Sequence, residues 1–261
     1  MSRWTLTGVA LAAAAALPTP AAADWAADAR RAVDYAAHRH GTAMFSLRAE
    51  GHHFGYRATW TVESSSVVKA MYLVAYLRQR AVRRRRLRPD ERALLGPMIR
   101  RSDNGAASTV LGLIGEGLVV GLARRARMRC FAPSLPFWGN STICAADQSR
   151  FFLRLERLLP RRHRRYALNL LASIVPSQRW GIGSLRFPGW RLHYKGGWGS
   201  GSGASEHQVA LLRSGDERIA VAILTTGSPD AAYARETQRG VAARLLRRLR
   251  RPRAELWQHR R

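Results

Sequence analysis

Of the 44 lysine and arginine residues in the chain only two, Lys69 and Lys195, are lysine. Wherever a cation needs only to be solvated the sequence uses arginine, so these two sites demand something arginine cannot supply. Arginine stays protonated at any accessible pH, whereas a lysine amine loses its proton readily when buried or set near other cations. A deprotonatable amine is a general base; a compact ammonium is a point charge for a tight pocket. Ser66 stands three residues before Lys69. On a helix that spacing puts hydroxyl and amine on one face, with the serine at the positive end of the dipole. A neutral amine within reach of a hydroxyl can take its proton as the oxygen attacks a carbonyl, which is the chemistry of acyl transfer. Ser64 and Ser65 have no lysine at that offset and read as capping or loop residues.

Two more groups follow in order, Ser102-Asp103-Asn104 and Lys195-Gly196-Gly197. A serine three residues from a lysine is common by chance; three such boxes in sequence, each on a suitable element, are not. Together they resemble the S-x-x-K, S-D-N and K-T-G boxes of class A β-lactamases and penicillin-binding proteins. The resemblance covers most of residues 24–250 and implies a role for each position. Ser66 becomes the nucleophile and Lys69 its base, Ser102 a proton shuttle to the leaving group, and Asp103 a structural residue. Asn104 would hydrogen-bond the substrate amide, and Lys195 would attract the carboxylate shared by β-lactams and D-alanyl peptide termini. Gly196 and Gly197 would let substrate approach the backbone, and the Trp198 N–H would join that of Ser66 in an oxyanion hole. On its own, Ser102-Asp103-Asn104 reads more simply as a turn capping the helix after it.

Two departures from the family pattern carry chemical weight. Position 196 is glycine where the family has threonine or serine, which removes a hydrogen bond to the carboxylate worth about 1–3 kcal/mol. The glutamate that activates water for deacylation in class A enzymes has no counterpart. Residues 131–142, where it belongs, contain no acid, Glu116 lies in the preceding helix, and Asp147 reads as the N-cap of the next. Ser66 is then able to acylate without an evident means of activating water.

The elements needed to position these residues can be read from periodicity. A first helix is expected over 24–39, capped by Asp24, then strands at 43–47 and 53–56 around a Glu50-Gly51 turn. The run 67–80 is apolar around most of a helix surface, so a buried helix should open at Ser66. Helical patterns follow at 90–101, 105–126, 146–158 and 161–174. Strands are expected at 191–195, 207–212 and 219–224, and a closing helix at about 231–250. This gives an α/β (α+β) fold of the β-lactamase/transpeptidase type. Its antiparallel five-stranded sheet is flanked by the N- and C-terminal helices (24–63 and 189–251), beside an all-α lobe (64–188), with a cleft between.

A hydrophobic content of 46% suffices for a sizeable core. Arg3, the apolar run Trp4–Leu17 and Ala21-Ala22-Ala23 have the layout of a signal peptide cleaved after Ala23, and about 14 apolar residues fall short of a membrane span. The protein is thus expected outside the cytoplasm, in a periplasm, cell envelope or medium. Its only cysteines, Cys130 and Cys144, could there close a disulfide worth about 3 kcal/mol. A net charge of +27 allows anionic envelope polymers as partners. The arginine runs 83–86, 161–165 and 247–253 lack interleaved aromatics and read as solvated faces, so nucleic acid is not expected. His193, His207 and the His52-His53 pair read as structural or exposed; no metal, no cofactor and a monomer are expected. Three functions compete: a β-lactamase-like hydrolase, a D-alanyl-D-alanine peptidase or transpeptidase, and a non-catalytic envelope-binding protein.

Overall fold

The computed structural model describes residues 20–199 and 204–250, with side chains from residue 24. The leader expected over residues 1–23 lies outside them, apart from the backbone of 20–23, as does the end of the last arginine run. Helix α1 (Pro20–Ala37) leads into a hairpin of β1 (Thr42–Ala49) and β2 (His52–Tyr56), and β3 (Thr61–Glu63) follows. The middle of the chain supplies α2 (Lys69–Arg78), α3 (Pro89–Arg100), α4 (Asn104–Arg125), β4 (Thr142–Cys144), α5 (Ala145–Leu153), α6 (Leu155–Leu158) and α7 (Arg164–Ala172). Strands β5 (Arg191–Gly199), β6 (Ala204–Ser214) and β7 (Glu217–Ser228) and helix α8 (Ala231–Leu245) complete it.

The five long strands form one antiparallel sheet in the order β2-β1-β7-β6-β5, built from the early hairpin and the late strands. Its central strand explains the placing of the helices. Ala220 to Leu224 are all fully buried, so both faces of β7 are covered, and α8 and α5 are the helices that pack on it. A strand covered on both sides has no polar face to show and reads as an unbroken apolar run. Helices α1 and α8 pack on one another, latched by fully buried Asp28, which pairs with Arg247 at 2.9 Å and Arg248 at 3.3 Å. The apolar run at Val67–Leu77 is the buried α2, enclosed by α3 and α4.

Several boundaries differ from the pattern-based expectation. Asp24 lies within α1 rather than capping it. Asp147 is the third residue of α5, and its carboxylate accepts from Arg129 N (2.5 Å) and Cys130 N (2.6 Å), tying down the loop before β4 instead of capping the helix. Helix α4 is broken at Gly115 (φ 68°, ψ 161°), and the segment expected over 146–158 divides at Arg154 into α5 and α6. The helical half is not wholly α: β3 and β4 pair as a short ribbon whose three-residue strands carry too little pattern to be seen in sequence. Arg85 is not on a solvated helix face; it lies in the turn between α2 and α3, gripping buried Glu91 through both nitrogens at 2.6–2.7 Å.

Candidate active site

Three elements deliver the reactive residues to one place: the turn before α2, the start of α4, and the edge strand β5. Ser66 does not open the α-helix itself. It sits in a 3₁₀ turn, Ser65–Val68, and α2 begins only at Lys69. Ser65 just before it has φ 44°, a left-handed conformation that non-glycine residues adopt at a cost and that redirects the chain at this point. Ser102 likewise has φ 58°. Asp103 then caps α4 by accepting from Ala106 N at 2.8 Å.

Edge strand β5 closes the site from the other side. A Cβ at Gly197 would come within 2.8 Å of both Ser66 N and Val67 N, so only glycine lets strand and turn pack this closely. This contact brings the Ser66 N–H next to the segment Gly197-Trp198, where a second oxyanion donor was expected. The sheet register sets Lys195 and Gly197 on one face, opposite Val209 and His207 of β6, and puts Gly196 and Trp198 on the other.

Both lysines are fully buried, and both reach Ser102. Lys69 Nζ donates to Ser102 O (2.6 Å), Asn104 Oδ1 (2.7 Å) and Ser102 Oγ (3.3 Å). Lys195 Nζ donates to Ser102 Oγ (2.9 Å) and Gly196 O (2.7 Å). The Ser102 hydroxyl thus bridges two amines. The direct hydrogen bond expected between Ser66 Oγ and Lys69 is absent among the described residues; the amine is turned toward Ser102 and Asn104. Burial draws the Lys69 pKa down to about 8, with Asp103 opposing. Lys195 is lowered well below its ordinary value by burial and by the neighbouring Lys69 charge. Two ammonium groups sharing one hydroxyl disfavour each other, so this pair supplies a neutral amine at far lower pH than lysine normally does.

Among the described residues no carboxylate is hydrogen-bonded to either lysine. What covers Lys69 instead is Trp138, a residue with no role in the sequence reading. Its ring centroid lies 4.8 Å from Lys69 Nζ, its Nε1 donates to Ser108 Oγ at 3.1 Å, and its edge meets Tyr72 with centroids 6.2 Å apart. The loop carrying it is pinned at Gly139 O by Ser64 Oγ (3.2 Å) and bracketed by a Cys130–Cys144 disulfide with Cα atoms 5.8 Å apart. The signal for it was a tryptophan in the segment where an acid was sought.

The missing hydroxyl at position 196 has a similar substitute. A Cβ there would meet Trp180 Cζ2 at 3.3 Å, so an indole fills the space beside Gly196. Trp180 packs edge-on against Trp198 (6.4 Å) and under the Arg235 guanidinium (5.2 Å), while Arg235 pairs with buried Glu206 at 3.0 Å. The site margin here is aromatic: Trp198 is 40% exposed. His207, behind Gly197, is buried with a pKa lowered to about 4 by desolvation, so it is a neutral packing residue.

The model of the beta-lactamase enzyme family matches residues 86–249, a span that holds the second and third boxes. No curated protein matches the chain. Among solved structures, a beta-lactamase from Sphaerobacter thermophilus superposes with a TM-score of 0.72 at 19% identity, over 86% of this chain and 97% of the other. One from Streptosporangium roseum gives 0.72 at 19% identity over 86% and 98%. A class A beta-lactamase from Mycobacterium abscessus gives 0.71 at 17% identity over 85% and 98%.

Proposed function

The chain belongs to the beta-lactamase enzyme family, and we propose that it is an exported serine acyl-transfer enzyme that takes β-lactams or D-alanyl peptide termini onto Ser66 and releases the acyl group slowly. The observation that carries this reading is the Lys69–Ser102–Lys195 chain of hydrogen bonds, set beside a serine whose N–H is packed against the edge strand. In the proposed cycle Lys195 binds the substrate carboxylate, whose charge in turn favours the protonated amine. The amide engages Asn104, and Lys69 turns from Ser102 O to the Ser66 hydroxyl. Ser66 Oγ attacks the carbonyl carbon as Lys69 takes its proton, and the Ser66 and Trp198 N–H groups hold the oxyanion. The carbon–nitrogen bond then breaks, the Ser102 hydroxyl protonates the leaving nitrogen, and Lys69 returns a proton to Ser102. An ester on Ser66 remains.

Hydrolysis of that ester needs a water with a base beside it. Trp138 lies over Lys69 and presents neither base nor polar group to the amine, which favours a long-lived acyl-enzyme and the peptidase-type reading over rapid β-lactam turnover. Incubating the purified protein with a chromogenic cephalosporin while following intact mass tests this. A stable adduct that is lost in Ser66→Ala supports the proposal. Sustained colour without adduct would instead make the protein an efficient β-lactamase. No adduct and no colour would leave the non-catalytic envelope-binding protein as the reading.

A further inference from the structure

Among the described residues six large apolar side chains are exposed, and five of them gather in one region: Leu113 and Leu118 of α4, Leu135 and Phe137 of the loop before β4, and Trp60 just before β3. The sixth, Trp198, belongs to the site margin. A single exposed leucine needs no explanation, but a gathering of this kind marks a contact surface. Three links tie the segments together. Trp138 Nε1 holds its loop to Ser108 Oγ at 3.1 Å, about 8 Å along the α4 axis from Leu113. Thr61, next to Trp60, pairs with Cys144 across the β3–β4 ribbon. Cys144 is bonded in turn to Cys130, in the segment that follows α4.

Helix α4 is suited to lie along a surface rather than through it. Its 22 residues are long and apolar enough to cross a membrane, yet Gly115 breaks the helix, and Val110, Ile114, Val119 and Leu122 are buried in the core. The other side of its second half, with Gly117, Leu118, Gly121, Arg124 and Arg125, is exposed. Leu118 and Arg125 are seven residues apart, about two turns, and share that side. Arg127 and Arg129 are exposed just beyond the helix, and the Arg57 guanidinium lies 4.8 Å from the Trp60 ring centroid. Among the described residues none of Arg124, Arg125, Arg127 and Arg129 is ion-paired. Burial, then the charges of Arg125 and Arg83, lower the pKa of Arg78 with no acid offsetting them, so the field at this end of α4 is positive.

An apolar face bordered by unpaired cations specifies its partner. A soluble polyanion would satisfy the arginines and leave the apolar side chains in water. A second copy of the chain would cover them, but at the cost of bringing two bodies of charge +27 together. An anionic lipid surface suits both sets, taking leucine and aromatic side chains at the acyl boundary and arginines at the phosphates. We propose that this face docks the protein on an anionic lipid surface. Phe137 precedes Trp138, the indole over Lys69, so the docked face adjoins the candidate active site. Docking does not depend on the acyl-transfer reading.

The test is sedimentation of the full chain with vesicles of mixed phosphatidylglycerol and phosphatidylcholine, beside vesicles of phosphatidylcholine alone and a support carrying polyglutamate. The protein should bind the mixed vesicles at least about tenfold more tightly than the neutral ones. Leu113→Gln/Leu118→Gln should lose at least about tenfold on mixed vesicles and nothing on polyglutamate. Trp60→Ser, on a separate segment, should weaken vesicle binding as well. Arg124→Gln/Arg125→Gln should lose about thirtyfold on the vesicles, the effect of two cations near an anionic surface. Arg30→Gln/Arg239→Gln removes the same charge from exposed positions of α1 and α8, which flank the sheet rather than the helical half, and should leave binding nearly unchanged. Glu116→Gln removes the only acid of α4 and should strengthen binding about fivefold. Thermal melts report whether each variant folds. No binding to mixed vesicles, or binding unmoved by the Leu113/Leu118 and Trp60 variants, overturns the proposal. Equal losses in the two arginine pairs overturn it in favour of general polyanion attraction. A lipid-free dimer that Leu113→Gln/Leu118→Gln dissolves overturns it in favour of self-association.

Discussion

Lys69 is held by three acceptors and overlain by an indole, so its environment stabilises the ammonium through hydrogen bonds and cation–π attraction while burial works against it. Burial wins, and the pKa falls to about 8. If neutral Lys69 is the base, the rate of Ser66 acylation should rise about tenfold per pH unit below pH 8 and level off above it. Stopped-flow acylation between pH 6 and 9.5 measures this; a flat profile would remove Lys69 from the role. Lys69→Arg keeps the charge but not the deprotonatable amine and should lower acylation by at least about a hundredfold, the usual scale of a general base. Trp138 bears on the opposite half of the cycle. Trp138→Ala uncovers the amine to water, and decay of the acyl-enzyme should quicken by about tenfold, equivalent to about 1.4 kcal/mol in the barrier. A thermal melt serves as the control for folding, and an unchanged adduct lifetime would show that water is not what the indole excludes.

At the scale of elements, the turn between α2 and α3 is organised by one carboxylate. Glu91 accepts from Tyr76 OH at 3.1 Å, from both Arg85 terminal nitrogens and from Arg88 N at 2.7 Å, joining the end of α2 to the first turn of α3. The Arg85 hydrogen bond, partly offset by burial, draws its pKa down to about 2. Its stabilising contribution is thus complete above about pH 4.5, where the unfolded chain is also ionised, and is lost as pH falls toward 2. Glu91→Gln should cost about 2 kcal/mol at pH 7, in the range for hydrogen bonds to charged groups, with the gap narrowing in urea unfolding at pH 2.5. A gap independent of pH would mean that packing rather than charge holds the turn. Features of this kind separate what the sequence discloses from what it hides. The hairpin at Glu50-Gly51, the buried run after Ser66 and the Ser102-Asp103-Asn104 cap depend on neighbours within a few residues, and their patterns could be read directly. The 3₁₀ turn under Ser66, the β3–β4 ribbon and the seating of Trp138 on Lys69 arise from contacts between segments far apart in sequence. Gly197 pressing on the Ser66 turn, and Trp180 filling the gap at Gly196, are of the same sort. Local periodicity holds no trace of such contacts; only the two rare lysines and the acid-free loop hinted at them.

On the scale of the whole molecule, charge is the dominant fact. Seventeen acids face 44 lysines and arginines, and the buried acids Asp28, Glu91, Asp147 and Glu206, with partly buried Glu156, are each already paired with arginine. The arginines therefore far outnumber the acids able to pair with them. Salt acts on these two populations differently: exposed like charges are screened over a Debye length of about 10 Å at 0.1 M, whereas pairs with a buried carboxylate are screened much less. Adding sodium chloride should therefore relieve repulsion faster than it weakens attraction, and the folded state should gain. A gain of about 1 kcal/mol between 0.05 and 0.5 M would raise the melting temperature by about 2–4 °C in a protein of this size. Over the same chloride range the protein should release from an anionic polymer support, because that attachment is the screened interaction seen from outside. A melting temperature that falls as chloride rises would mean that the ion pairs outweigh the repulsion, and the excess of arginine would then need a reason within the fold.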